Sequence, residues 1–62
     1  MNKKERILKT LKDIGRLSTA RLAAIAAISY DNNFKKLLTD MIEEKLIVME
    51  PETNAIYWRL KE

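Results

Sequence analysis

The sequence predicts a mainly α fold, three helices followed by a small two-stranded β-hairpin. Three observations carry this expectation. Apolar residues recur at helical spacing through three successive segments between Lys3 and Lys45. The stretch from Ala55 to Leu60 alternates instead, as a half-buried strand does. Gly15 and Pro51, the single glycine and the single proline, each fall where a boundary is wanted.

The first helix runs from Lys3 to Ile14, where Ile7, Leu8, Leu11 and Ile14 make one apolar stripe. Asn2 stands at its N-cap, and Glu5 precedes Lys9 by one helical turn in the favourable order. Gly15 stands where a left-handed residue ends a helix, and Leu17 can fold back onto the last turn or add a short edge strand. Ser18 and Thr19 are both cap-forming types, and Ala20 to Ile28 is a run of strong helix formers. This second helix is apolar nearly all round, short and rich in alanine, which suits a helix clamped between two others.

A polar turn without glycine follows, from Ser29 to Asn33. Ser29 or Asp31 caps a third helix reaching about Lys45. Its apolar residues Phe34, Leu37, Leu38, Met41 and Ile42 share a face. The opposite face carries Asn32, Lys36, Thr39 and Glu43, flanked by Asn33, Lys35 and Asp40. Leu46 to Met49 is too short for a helix. Glu50 to Asn54 reads as a turn with Pro51 in its second position, and the strand after it puts Ile56, Trp58 and Leu60 on one face and Tyr57 and Arg59 on the other.

A length of 62 residues predicts a single domain over residues 1–62 with a small core. The composition, 47% hydrophobic and 34% charged, suits a folded chain. Cysteine and histidine are both absent, which removes disulfides, the common zinc sites and histidine-based catalysis. No carboxylate pair, phosphate-cradling glycine loop or activated nucleophile is recognisable. A non-enzyme without cofactor or metal is expected, and no small-molecule ligand is evident. No apolar run approaches the ~20 residues that cross a bilayer, nor the roughly 7 to 15 of a secretory h-region, so the expected location is the cytoplasm, without a membrane partner.

The net charge of +3 hides an asymmetry. Residues 1–36 carry nine Lys/Arg against three acids, and residues 37–62 carry three against six. A basic half is the electrostatic footprint of a nucleic-acid binder, and it also fits a solvated mixed surface.

The order of elements and several short motifs resemble the winged helix-turn-helix superfamily of bacterial and archaeal transcription regulators. Leu22-Ala23 followed by Ala27-Ile28-Ser29 resembles the family's second helix and turn. Phe34, Leu37-Leu38 and Met41-Ile42-Glu43-Glu44-Lys45-Leu46-Ile47 resemble its recognition helix and exit, and Ile56-Tyr57-Trp58-Arg59-Leu60 resembles the second strand of its wing. Three departures stand out. Ala27 replaces the turn glycine, a change expected to be minor. The glycine before Leu-Ile is missing, so the third helix is expected to run on or strain slightly at Lys45. The interval from Ser29 to Phe34 is one residue longer than the commonest spacing.

The resemblance implies a third helix lying in the major groove of double-stranded DNA. The expected base contacts are Asn32, Asn33, Lys35, Lys36 and Thr39. An asparagine amide pairs with adenine, a lysine donates to guanine, and a threonine methyl packs on thymine. The alternative is that these residues are an ordinary wet helix surface. Expected phosphate contacts are Arg16, Ser18, Thr19, Arg21 and Tyr30, grouped around the start of the second helix and the turn, with Lys3 and Lys4 weaker candidates. The wing is expected to offer only Thr53, Asn54 and Arg59, because Glu50 and Glu52 at its tip would repel phosphates. A homodimer is expected, through apolar residues such as Ala24, Ile25, Tyr57 and part of the first helix, because a single module offers only about 600–1,000 Å² to DNA. The alternative function is a winged-helix module that binds protein within a larger complex, with the wing and third-helix surface serving the partner.

Overall fold

A computed structural model describes residues 2–61. Three helices, α1 (Lys3–Ile14), α2 (Thr19–Ala26) and α3 (Asn32–Glu43), pack on a three-stranded antiparallel sheet of β1 (Leu17–Ser18), β2 (Ile47–Pro51) and β3 (Ile56–Leu60). The strand order is β1-β3-β2, so the last strand is the central one. Leu17 does form the short edge strand, pairing opposite Trp58.

Each helix opens on a side-chain cap, which satisfies a backbone N–H that has no partner within the helix. The Asn2 oxygen accepts from the Glu5 N–H at 2.8 Å, and the Ser18 hydroxyl accepts from the Arg21 N–H at 3.4 Å. At α3 the cap is Asp31 rather than Ser29, its carboxylate accepting from the Phe34 N–H at 3.0 Å.

The helix ends differ from expectation for one shared reason. α2 stops at Ala26, and Ala27 turns left-handed at φ 58°. The Ile28 N–H then bonds the Ala23 carbonyl at 2.9 Å and the Ala27 N–H bonds Ala24 at 3.2 Å, the paired pattern of a Schellman end. α3 stops at Glu43 and repeats the device: Lys45 sits at φ 62°, Leu46 bonds back to Met41 at 3.0 Å and Lys45 to Ile42 at 2.9 Å. Both left-handed residues occupy positions where the winged-helix pattern has glycine. The Ala27 replacement is therefore a strained one rather than a minor one, and of the two outcomes expected at Lys45 the structure shows the strain, since α3 does not run on. Arg6 reinforces the end of α2, donating from its guanidinium to the Ala26 carbonyl at 2.6 Å and the Ala27 carbonyl at 2.5 Å.

The hairpin is longer than the turn residues suggest. β2 continues through Glu50 and Pro51, which pair opposite Tyr57 and Ile56, and the turn closes with the Glu52 N–H on the Ala55 carbonyl at 2.8 Å. Pro51 is tolerated because β2 is an edge strand. Glu50 thus lies within the sheet rather than at the tip.

The core is a single cluster. Ile7 and Leu11 of α1 meet Leu22, Ala23 and Ala26 of α2, Phe34, Leu38 and Met41 of α3, and Leu17, Ile28, Ile47 and Trp58. α2 buries only one face; Ala20, Arg21, Ala24 and Ile25 are exposed, so it is not enclosed all round. Trp58 faces the core and Leu60 packs against it, but Ile56, at the wing end of β3, is 43% exposed and lies outside the core cluster.

Candidate nucleic-acid interface

α3 displays a continuous polar face. Asn32, Asn33, Lys35, Lys36 and Thr39 are all exposed, because burial of Phe34, Leu38 and Met41 fixes the rotation of the helix. The Thr39 hydroxyl donates to the Lys35 carbonyl at 3.1 Å, which leaves its methyl for outward contact. Tyr30, exposed in the turn before α3, is held between two neighbours. Its ring meets Phe34 at 5.9 Å, and the Lys35 ammonium lies 5.4 Å from its centre.

Beside this face lies a cleft of about 270 Å³ between the start of α2 and the wing, lined by Ser18, Thr19, Ala20, Tyr30, Asn54 and Ile56. Four of the residues expected to contact DNA are brought together here: Ser18 from β1, Thr19 from α2, Tyr30 from the turn before α3 and Asn54 from the wing turn. Thr53 is exposed in the turn next to it. The Thr19 hydroxyl, however, is committed inside the protein: it accepts from Trp58 Nε1 at 2.7 Å and donates to the Ile56 carbonyl at 3.2 Å. Its side-chain proton is therefore spent on locking the wing to α2.

Of the three remaining sequence candidates, Arg16 and Arg59 are also engaged, while Arg21 is exposed on α2. Arg16 Nε donates to Glu50 Oε1 at 2.7 Å, its other end lies 3.7 Å from Glu52, and its guanidinium sits 4.1 Å from the centre of the Tyr57 ring. Arg59 Nε donates to Glu50 Oε2 at 2.9 Å. Hydrogen bonds from Arg59 and Arg16 hold the Glu50 carboxyl below its ordinary pKa. Each oxygen of Glu50 thus has its own arginine. Both wing acids therefore face a cation, Glu50 two arginines and Glu52 the far end of Arg16.

Ion pairing divides the basic residues. Lys4 pairs with Glu44 at 2.6 Å, Lys9 with Asp13 at 2.9 Å, and Arg6 is spent on carbonyls. Among the described residues, Lys3, Lys12, Arg21, Lys35, Lys36, Lys45 and Lys61 have no acidic partner, and of these Arg21, Lys35 and Lys36 sit on α2 and α3. Lys3 joins them, sharing a surface hollow with Asn33 and Lys36. The role of Glu50 as a hub was not visible locally; it needs the register that sets Glu50 opposite Tyr57 and Val48 opposite Arg59.

No protein-family model matches the chain, and no curated protein matches it in sequence. Among solved structures it is similar to the transcriptional regulator PA4135, with a TM-score of 0.86 and 16% identity over 94% of this chain and 44% of that one. It is also similar to the adhesin competence repressor AdcR from Streptococcus pyogenes, with a TM-score of 0.82 and 25% identity over 100% of this chain and 47% of that one. The chain spans less than half the length of either neighbour. Three helices, α2 and α3 forming a helix-turn-helix, are followed by a β2–β3 wing joined to β1, and the overall likeness to these regulators agrees with that arrangement: the chain has the winged helix-turn-helix fold.

Proposed function

We propose that this chain binds double-stranded DNA as part of a transcriptional regulator, with α3 in the major groove. One observation carries the reading: the exposed polar face of α3 adjoins a cleft that gathers Ser18, Tyr30 and Asn54. In this reading Asn32, Asn33, Lys35, Lys36 and Thr39 meet base edges, while Arg21, Ser18 and Tyr30 hold the phosphates on one side and Thr53 and Asn54 on the other. Thr19, Arg16 and Arg59 act one step back, by fixing the wing against α2 and β1. The likeness to structures of transcriptional regulators supports the same role.

The reading is of a binding module rather than a catalyst, and its support is the likeness to transcriptional regulators. Among the described residues, no group of His, Cys, Asp or Glu is placed to hold a metal ion, and no helix is long and apolar enough to cross a membrane. It places the protein on the bacterial or archaeal nucleoid, in the cytoplasm. It also includes a homodimer, supported by Ile14 and Ile25, which are 55% and 48% exposed and line one hollow between α1 and α2. That hollow carries the Lys9–Asp13 pair on its rim, so both signs of charge are present for a two-fold contact. Ile25→Asp is expected to shift the protein to monomer in sedimentation velocity.

A salt titration on random and operator-enriched duplex DNA tests the main reading. Binding is expected at ~50 mM salt, weakening steeply as salt rises. Lys36→Ala is expected to relax base preference and weaken binding by roughly 1–3 kcal/mol on a preferred site. Absence of binding at low salt, or binding insensitive to salt, would hand the α3 and wing surface to a protein partner instead.

A further inference from the structure

A second surface lies outside every residue assigned to DNA. Between α1 and the end of β3 runs a groove of about 560 Å³. Its floor is Leu8, Leu46 and Leu60, three half-buried leucines that pack on the core from outside. The floor is fixed from both ends: Ile47 pairs opposite Leu60, and the Lys61 N–H bonds the Leu46 carbonyl at 3.1 Å. The rim is cationic. Lys9 and Asp13 neutralise each other at 2.9 Å, which leaves Lys12 and Lys61 with no acidic partner among the described residues.

We propose that this groove docks an acidic amphipathic helix from a partner protein. The chemistry selects that class. The leucine floor needs aliphatic or aromatic side chains to exclude water, and the two ammonium groups need carboxylates at the edges of the same contact. A helix with apolar residues one turn apart and Glu or Asp beside them supplies both, laid against the outer face of α1. A nucleic-acid strand supplies the charge without the apolar anchors, and a basic helix supplies the anchors with the wrong charge. None of the groove residues belongs to the α3 polar face or to the wing cleft. A partner bound here leaves α3 and the wing uncovered, and the inference does not rest on the DNA reading.

The test is a titration of isotope-labelled protein, followed by amide chemical shifts, with three synthetic peptides. One is a Leu/Glu helix with leucines at i, i+3, i+4 and i+7, one is a scrambled version of it, and one is the Leu/Lys analogue. Saturable shifts are expected at Leu8, Lys12, Leu46 and Leu60 with the Leu/Glu helix. The double substitution Lys12→Glu with Lys61→Glu, both on exposed side chains, is expected to weaken that binding about tenfold or more while leaving the spectrum of a folded protein. The proposal is overturned by the absence of saturable shifts, by equal binding of the scrambled or Leu/Lys peptide, or by shifts centred on α3. It is equally overturned if the double variant binds as before, or if phosphatidylglycerol vesicles bind this face while the peptide does not. Duplex DNA binding of the same double variant, measured in parallel, separates a failure here from a failure of the DNA reading.

Discussion

Gly15, Ala27 and Lys45 are the residues with positive φ among those described, and the three are not equivalent. Gly15, at φ +102° and ψ −148°, occupies a region essentially closed to other residues, although a Cβ there would meet nothing within 4 Å. Its constraint is therefore conformational, and Gly15→Ala is expected to cost about 1–3 kcal/mol with no steric clash to relieve. Ala27 and Lys45 hold the left-handed helical conformation at a cost of roughly 1–2 kcal/mol each. Glycine there removes that strain but adds about 0.4–1 kcal/mol of unfolded-chain entropy. Ala27→Gly and Lys45→Gly are each expected to stabilise by about 0.5–1 kcal/mol, several degrees in melting temperature for a chain this small, read by urea and thermal unfolding. The missing glycines were legible in the sequence. That the backbone keeps its left-handed turns without them was not, because the Schellman bonds and the docking of Ile28 and Leu46 outweigh the local preference. Thr19 shows the same limit: its cap-forming chemistry is visible locally, while the Trp58 indole that claims its hydroxyl lies 39 residues away.

At the scale of elements, α1 and the polar face of α3 follow directly from apolar spacing, and α1 has the bounds that spacing predicts. The wing was harder to read, since Glu50, Pro51 and Glu52 look like a turn and only the pairing with β3 draws the first two into a strand. That shift moves Glu50 between two arginines and makes the wing pH-sensitive. The Glu50 pKa is lowered in the folded protein, so the unfolded chain takes up this proton first as pH falls. The stabilisation is fully present above the ordinary carboxylate pKa and is lost as pH drops through the lowered folded value. Glu50→Gln is therefore expected to melt below the parent at neutral pH, with the gap closing in acid. A gap that stays constant across that range would mean the arginines do not depend on the carboxylate charge. The side chains of this cluster are part-exposed, so added salt is also expected to narrow the gap.

For the whole molecule, the count of basic residues in the first half overstates what a DNA backbone can use. The sequence shows nine cations there but not which are already engaged, because the pairs Lys4–Glu44 and Arg16–Glu50 join residues far apart in the chain. Folding sorts them. Arg6 bonds the end of α2, Arg16 ties β1 to the wing, and Arg21, Lys35 and Lys36 remain unpaired on the helix-turn-helix. Two arginines only five positions apart should then behave differently. Arg21→Ala removes a cation free to displace a counterion from DNA, so the slope of log affinity against log salt should become shallower by about one. Arg16→Ala removes a cation already matched by Glu50, so the slope should change little. It should instead lower the melting temperature and leave Glu50 with one arginine partner. Fluorescence anisotropy on one random duplex across a salt series, with melting curves for the same two variants, separates these roles. Equal loss of slope for both would mean that the Arg16–Glu50 pair opens when DNA binds and that the wing carries phosphate after all.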